Sequence, residues 1–475
     1  MSAPRRDLAG GLALGLSLAA AAALVTLRWL EPDHVHLIWA DRALARALDV
    51  VRGTPVDAAA ELSYGGGARI PGGFLYELLA LPLAATDAAR AVYRFALLLE
   101  VLALGLLAWG VARRHGRLAA GLAVGLAVAA DPATDSLRQL WNPAYTPLWS
   151  TVVLLASART AQERDARHLP AAALAVALGT QLHLAVALAG LPMILAALVC
   201  RPRGLLRHGA LSLLLVGAAY APYLAADAAE GWANTRLLQE PSHVADLDVI
   251  RDPGGWNAQN LWGLAEAARD GRNLVRLVDA LRLGPGAHGL AWLGVLSGLA
   301  AVAGAAGALR RREDRDLRVA LAGVVAVAGY LVMARTVRMN EATLRYLLPA
   351  TPGLAWLGAV GIVRLRDGLV GRAGGLAGLL PVGLALLVGA RAAGAALSLG
   401  QELTPIELAG SRARLLADLE DFAAAPLVEV APRTLVLRAS GSGRWRWLAA
   451  DGVAYELARA GHEAPPARGG PCLAV

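Results

Sequence analysis

The sequence predicts an all-α polytopic membrane protein of about eleven transmembrane helices, within a range of roughly eleven to thirteen. It adds a large first extracytoplasmic loop and a small α/β extracytoplasmic tail. Three observations carry this. Hydrophobic residues make up 57% and charged residues 17% of the 475-residue chain, where a soluble domain is about a quarter charged. Apolar runs long enough to cross a bilayer recur along the chain. Arginine-rich loops recur after every second run, which fixes orientation by the positive-inside rule.

The elements follow in order. Arg5 and Arg6 hold the N-terminus in the cytoplasm, and residues 8–30 cross outward. This apolar run is too long for a signal-peptide core and has no clear cleavage site. Glu31 to Gly73 is a polar loop with Asp33, Asp41, Asp49 and Asp57, two histidines and a glycine-rich turn. Residues 74–85 are too short to span and are expected at the interface. Spans at 91–112 and 118–131 flank Arg113, Arg114 and Arg117. The turn DPATDSLRQLWNP leads into a span at 144–158, which ends in ARTAQERDARH.

Residues 169–200 suit a hairpin of two short or tilted spans turning near the outer side, and RPRGLLRH marks the cytoplasm again. Residues 209–226 go out to a long polar loop, 227–287, and 288–309 return to RRREDRDLR. Residues 319–335 go out to TVRMNEATLR, 344–363 come back to RLRDGLVGR, and 373–398 exit. Each inner loop carries at least three arginines. The transmembrane domain is thus 1–400 and the outer tail 401–475. In the tail TLVLRA reads as a strand, GSGRW as a turn, and WLAADGVAYELARAGHE as a helix. GSG is a structural turn more readily than a phosphate loop.

The formal charge of +8 comes from arginines in short loops and does not point to nucleic acid. Cys200 and Cys472 fall on opposite sides of the membrane, so no disulfide framework is implied. Asp33, His34 and His36 are close enough to ligate a metal, but on an extended run His34 points away from the other two. No metal site and no cofactor are expected. Trp141, Trp232, Trp256 and Trp262 sit at predicted interfaces, where tryptophan is at home in any membrane protein.

Polar groups gather on the outer side. Asp33, Asp41, Arg69, Asp131, Asp135, Arg138, Asn142, His183, Arg338, Glu341 and Arg345 all fall at outer ends of spans or in outer loops. Carboxylates of this kind deprotonate or orient an acceptor, and arginines hold phosphate. Each also has a structural reading: an acid that solvates a loop, an interfacial arginine, a buried histidine bonded to backbone, an Asp-Pro turn at Asp131.

These residues carry a resemblance. DRALARALDVVRG (41–53), SYGGGARIPGGFLYELLALPL (63–83), RQLWNPAYTPL (138–148), the Gln181–His183 pair and LRYLLPATP (344–352) stand in an order similar to that of the C-type glycosyltransferase superfamily. Within it, the chain resembles the bacterial relatives of protein O-mannosyltransferases and of the lipid A aminoarabinose transferase. The resemblance covers most of residues 8–400 and rests on motif order more than on any one motif. It implies a bacterial inner-membrane enzyme with a polyprenyl-phosphate-linked sugar donor, an envelope acceptor (lipid, glycan or protein), and inversion at the anomeric carbon.

It also implies a carboxylate in the first outer loop. Asp41 fits best by its spacing to Gly53 and Pro71. Asp33 is the rival, because PDHVH is similar to an Asp-Glu-x-His pattern with His34 in the Glu place. The chain departs from the family in having Asp41-Arg42 where Asp-Glu is common. Arg345 is the expected phosphate ligand, with Arg69, Arg138, His183, Asp131 and Asn142 as further substrate-binding candidates. A transporter or flippase of lipid-linked sugars and a non-catalytic envelope subunit are the alternatives; neither paired repeats nor broken midplane helices stand out.

Overall fold

The computed structural model describes residues 8–30, 38–56, 58–62, 69–86, 89–128, 142–239, 293–311, 313–333 and 347–373, five isolated positions between 383 and 393, and residues 434–438 and 445–449. Among these, helices dominate. They are α1 (Leu8–Leu30), α2 (Ile38–Val51), α3 (Phe74–Leu83), α4 (Ala89–Val128), α5 (Thr146–Glu163), α6 (Leu169–Leu182), α7 (Val186–Ala189) and α8 (Leu191–Cys200). After them come α9 (Leu205–Ala229), α10 (Ala233–Gln239), α11 (Leu293–Arg310), α12 (Arg315–Met333) and α13 (Thr351–Ala373). Two antiparallel strand pairs are described: β1 (Ala59–Leu62) with β2 (Arg69–Pro71), and β3 (Thr434–Arg438) with β4 (Trp445–Ala449).

By length and composition, the described helical segments Ala91–Val128, Leu205–Ala229 and Leu347–Gly368 are long and apolar enough to cross a membrane. The first of these is two arms. Gly116 has φ 84° and ψ 171°, which breaks the helix, and a left-handed φ is what glycine tolerates best. Val124 and Val128 pack in one cluster with Leu104 and Ala108. In a straight helix at about 1.5 Å per residue they would stand roughly 30 Å apart, so the chain folds back at Gly116. The predicted spans at 91–112 and 118–131 are therefore antiparallel arms over their described residues, which end at Val128.

The 169–200 hairpin is closed in the same way. Helix α6 stops at Leu182, His183 is extended, and the chain returns through α7 and α8. Arg164 and Arg201 end α5 and α8 in the left-handed conformation. Between them the backbone pairs: the Ala166 N–H donates to Arg203 O at 3.0 Å and the Arg203 N–H to Arg164 O at 2.8 Å. The two ends of the hairpin therefore meet.

The arginine-rich loops converge at one end of the bundle. His115 is 3.2 Å from Asp316, Arg364 reaches Asp314, and the Asp165–Arg203 bridge ties two more loops together. Beneath this end lies a core built from Leu107, Val111, Leu122, Leu155, Trp356 and Val360. A second core, with Leu44, Leu48, Ile70, Tyr76, Leu79, Tyr93, Leu97 and Leu182, joins the first polar loop to other helix ends. The segment 74–85 belongs to that core. Leu75, Tyr76, Leu78, Leu79 and Leu83 of α3 are buried while Leu81 stays exposed.

The tail departs from the sequence reading at one point. TLVLRA is a strand as expected, but Trp447 does not begin a helix: Trp445–Ala449 is strand β4, paired residue for residue with β3 from Thr434↔Ala449 to Arg438↔Trp445. WRW alternates with period two, and aromatic residues favour extended backbone. A connection containing Gly441 and Gly443 suits a hairpin.

Candidate functional site

The end of the molecule away from the arginine-rich loops is assembled by side-chain amides that bind backbone. Gln181, buried in the last turn of α6, accepts the Phe74 N–H through Oε1 at 3.2 Å and donates through Nε2 to Ala219 O at 2.9 Å. One amide thus fixes the start of α3 against α6 and α9. Gly72, with φ +101°, lies directly on the Gln181 side chain, and a β-carbon there would overlap it. The Gly72 N–H donates to Ala58 O at 3.0 Å and its carbonyl accepts from Ala60 N–H at 3.0 Å, which closes the β1–β2 pair.

Asn142 opens the short 3-10 turn before α5 and donates Nδ2–H to Leu182 O at 2.8 Å. That carbonyl is one a helix end leaves without an internal partner. His183 follows it, buried, with Nδ1 accepting from the Ala185 N–H at 3.2 Å. So the sequence candidates Asn142 and His183 meet at the end of α6, where both satisfy backbone groups.

Arg69 is held from the far side. Asn234, near the start of α10, accepts the Arg69 N–H through Oδ1 at 2.7 Å and donates Nδ2–H to Arg69 O at 3.0 Å. Asn234 is itself fixed by Asp227, whose carboxylate accepts the N–H groups of Asn234 (2.8 Å) and Thr235 (3.1 Å) and the Thr235 hydroxyl. The Tyr223 hydroxyl donates to Asp227 at 3.1 Å and accepts from Asn234 Nδ2–H at 3.1 Å. An Asp capping the first amides of a short helix is a strong local arrangement. It anchors the beginning of the 227–287 loop and delivers Asn234 to the first loop.

Three sequence candidates (Arg69, Asn142 and His183) are therefore brought into one region by Gln181 and by the Asp227–Asn234 cluster. Asp41 lies in the first turn of α2. On the same helix Ala43, Leu44, Ala47 and Leu48 are buried in the core that contains α3, so α2 is seated on this assembly. Asp33, Asp131, Asp135, Arg138, Arg338, Glu341 and Arg345 lie outside the described residues, as do His34 and His36.

Sequence reading missed Asn234, Asp227, Thr235 and Tyr223. Asp227 reads as an ordinary acid at the end of an apolar run, and only its spacing to Asn234-Thr235 hints at a cap. Glu100, buried in the middle of the first arm of α4, was also passed over. An acid inside an apolar span is a functional flag by its cost alone.

No protein-family model matches the sequence, and no curated protein matches it either. Solved structures do. ArnT from Cupriavidus metallidurans bound to undecaprenyl phosphate aligns over 82% of this chain and 75% of its own length, at 14% identity and a TM-score of 0.52. Its apo form aligns over 81% and 75%, at 15% identity and a TM-score of 0.49. The Archaeoglobus fulgidus oligosaccharyltransferase in complex with Zn and sulfate is matched over 80% of this chain but only 53% of its own, at 15% identity and a TM-score of 0.48. The chain has the fold of ArnT.

Proposed function

We propose that the chain is an inverting glycosyltransferase. It moves a sugar, hexose or pentose, from a polyprenyl-phosphate donor to an envelope acceptor (lipid, glycan or protein) on the outer face of the membrane. The observation that carries this reading is the fold shared with ArnT, a protein whose structure holds undecaprenyl phosphate, over 82% of this chain. The seating of α2 and of the Arg69 strand on one polar region supports it.

In the proposed reaction an acceptor hydroxyl or amine attacks the anomeric carbon. Its new bond to that carbon forms as the bond from carbon to phosphate oxygen breaks, and the electron pair leaves with the lipid phosphate. Asp41, or Asp33 in its place, takes the acceptor's proton or orients the acceptor. Arg345 stabilises the departing phosphate by bidentate hydrogen bonds, with Arg69 and Arg138 as neighbouring cations. Asp131, Asn142 and His183 shape the pocket. Asn142 and His183 do so by fixing the end of α6, since both already serve backbone groups.

The test is transfer from a labelled polyprenyl-phosphate sugar by the detergent-solubilised full chain. Free polyprenyl phosphate is the product to measure. Asp41→Asn is expected to abolish release while leaving the melting temperature unchanged. Normal turnover in Asp41→Asn with loss in Asp33→Asn moves the base to Asp33. No release from wild type with any acceptor fraction overturns the transferase reading in favour of a carrier.

A further inference from the structure

The bundle end opposite the candidate site holds a cavity of about 300 Å³ between α4, α5 and α13. Arg113, Arg114 and Arg159 line it together with Trp356 and Glu163. None of the three arginines forms an ion pair among the described residues. Glu163 does not neutralise them, because it is taken by Arg167 at 2.7 Å and His168 at 3.1 Å. Trp356 is 1% exposed, and among the described residues its indole N–H has no acceptor. Its ring forms part of the wall of a cavity that three arginines make cationic.

Two of the guanidiniums are fixed in place. Arg159 stacks on the Trp109 ring at 4.4 Å from its centroid and Arg113 at 5.4 Å. Trp109 is itself exposed and continues an exposed apolar stripe of α4 through Leu98, Val101 and Leu102. Residues 98, 102, 109 and 113 repeat at helical spacing, so one face of α4 runs from apolar side chains through an aromatic to Arg113. Such a face matches a lipid: acyl chains along the stripe, the glycerol beside the indole, and the phosphate among the guanidiniums.

We infer that this cavity is a binding site for the phosphodiester headgroup of an anionic glycerophospholipid. By the arginine-rich loops that surround it, the headgroup belongs to the cytoplasmic leaflet. The phosphate oxygens accept from Arg113 and Arg159, and Arg114 adds charge. Basic recesses between helices on that side attract anionic headgroups. The site is separate from the proposed transfer site and stands or falls independently of it.

The test is native mass spectrometry of the full chain after exchange into mixed micelles of phosphatidylglycerol and phosphatidylcholine. Wild type is expected to retain phosphatidylglycerol under activation that strips phosphatidylcholine. The double variant Arg113→Gln/Arg159→Gln is expected to lose it. Arg207→Gln, a charge-matched change in another arginine-rich loop, is expected to change nothing. Equal retention of both lipids, an equal effect of Arg207→Gln, or full retention in Arg113→Gln/Arg159→Gln overturns the assignment. Displacement of phosphatidylglycerol by millimolar inorganic phosphate overturns the lipid and makes free phosphate the ligand. Should the double variant fail to fold, the single variants Arg113→Gln and Arg159→Gln carry the test: each is expected to weaken retention, and full retention in both overturns the assignment.

Discussion

Asn234 holds Arg69 by both of its backbone groups, accepting the N–H at 2.7 Å and donating to the carbonyl at 3.0 Å across 165 residues of chain. A side-chain amide here replaces a neighbouring strand: it pairs with β2 as backbone would. The first outer loop is thereby latched to the beginning of the second.

Asn234→Ala removes both bonds to Arg69, together with the one to the Tyr223 hydroxyl, and takes their partner from part-buried backbone groups. The expected loss is about 2 kcal/mol, read as a lower melting temperature in detergent and faster proteolysis between residues 52 and 73. Asn234→Asp keeps the acceptor for the Arg69 N–H but sets a carboxylate oxygen against the Arg69 carbonyl and a charge beside Asp227, so it is expected to destabilise at least as much as Asn234→Ala. A melting temperature for Asn234→Ala equal to wild type would show that the latch is not needed.

Gly72 is required for two reasons that a double variant separates. Its φ of +101° strains any L-residue, and a β-carbon would overlap Gln181. Gly72→Ala is expected to destabilise by about 2 kcal/mol or more. Combining it with Gln181→Ala removes the overlap but not the strain, and also frees the Phe74 N–H and the Ala219 carbonyl. The pair is therefore expected to be less damaging than the sum of the single changes. Strict additivity would mean that the overlap contributes nothing.

How much of this was legible in the sequence differs by the kind of interaction. The arginine-rich loops were, because charge at a membrane boundary leaves a mark residue by residue, and these loops do meet at one end through His115–Asp316, Arg364–Asp314 and Asp165–Arg203. The hairpin of 169–200 was, because its length is too great for one span. The fate of 74–85 was only half legible: composition gave an apolar helix too short to cross, but burial against α2 depends on a partner far less apolar. Asn234, Asp227 and Gln181 were not legible as an assembly. Each is a single polar residue whose meaning lies in a backbone group brought near by the fold, and no local pattern encodes that. The tail shows two periods competing. Leu448, Val453 and Leu457 suit a helix, yet Trp445 and Trp447 alternate, and over 445–449 pairing with β3 decides for strand. Of the site itself, the sequence named Arg69, Asn142 and His183, but gave no sign that Asn142 caps α6 and that His183 holds the turn after it.

Acid stability tests the other end of the bundle. Asp316 is buried, which raises its pKa, but the His115 hydrogen bond and charge, the Leu317 N–H and the charge of Arg114 outweigh this and hold the carboxyl below its ordinary value of 3.8. Glu163, on the same side, is also lowered, by the His168 hydrogen bond first, with the Arg167 hydrogen bond and both charges adding to it against desolvation. A carboxylate with a depressed folded-state pKa stabilises above its unfolded pKa and loses that contribution as pH falls through the folded one. Stability from these groups is thus expected to be level from about pH 5 to 8 and to fall below about pH 4. Asp316→Asn loses the charge-assisted bond at all pH values above that limb, for about 2 kcal/mol, and its melting temperature is expected to fall less steeply between pH 4.5 and 3 than that of wild type. The comparison is made by thermal melts in a non-ionic detergent at fixed ionic strength. Parallel acid limbs in wild type and Asp316→Asn would remove Asp316 from the account and leave Glu163 and other carboxylates to explain the acid limb.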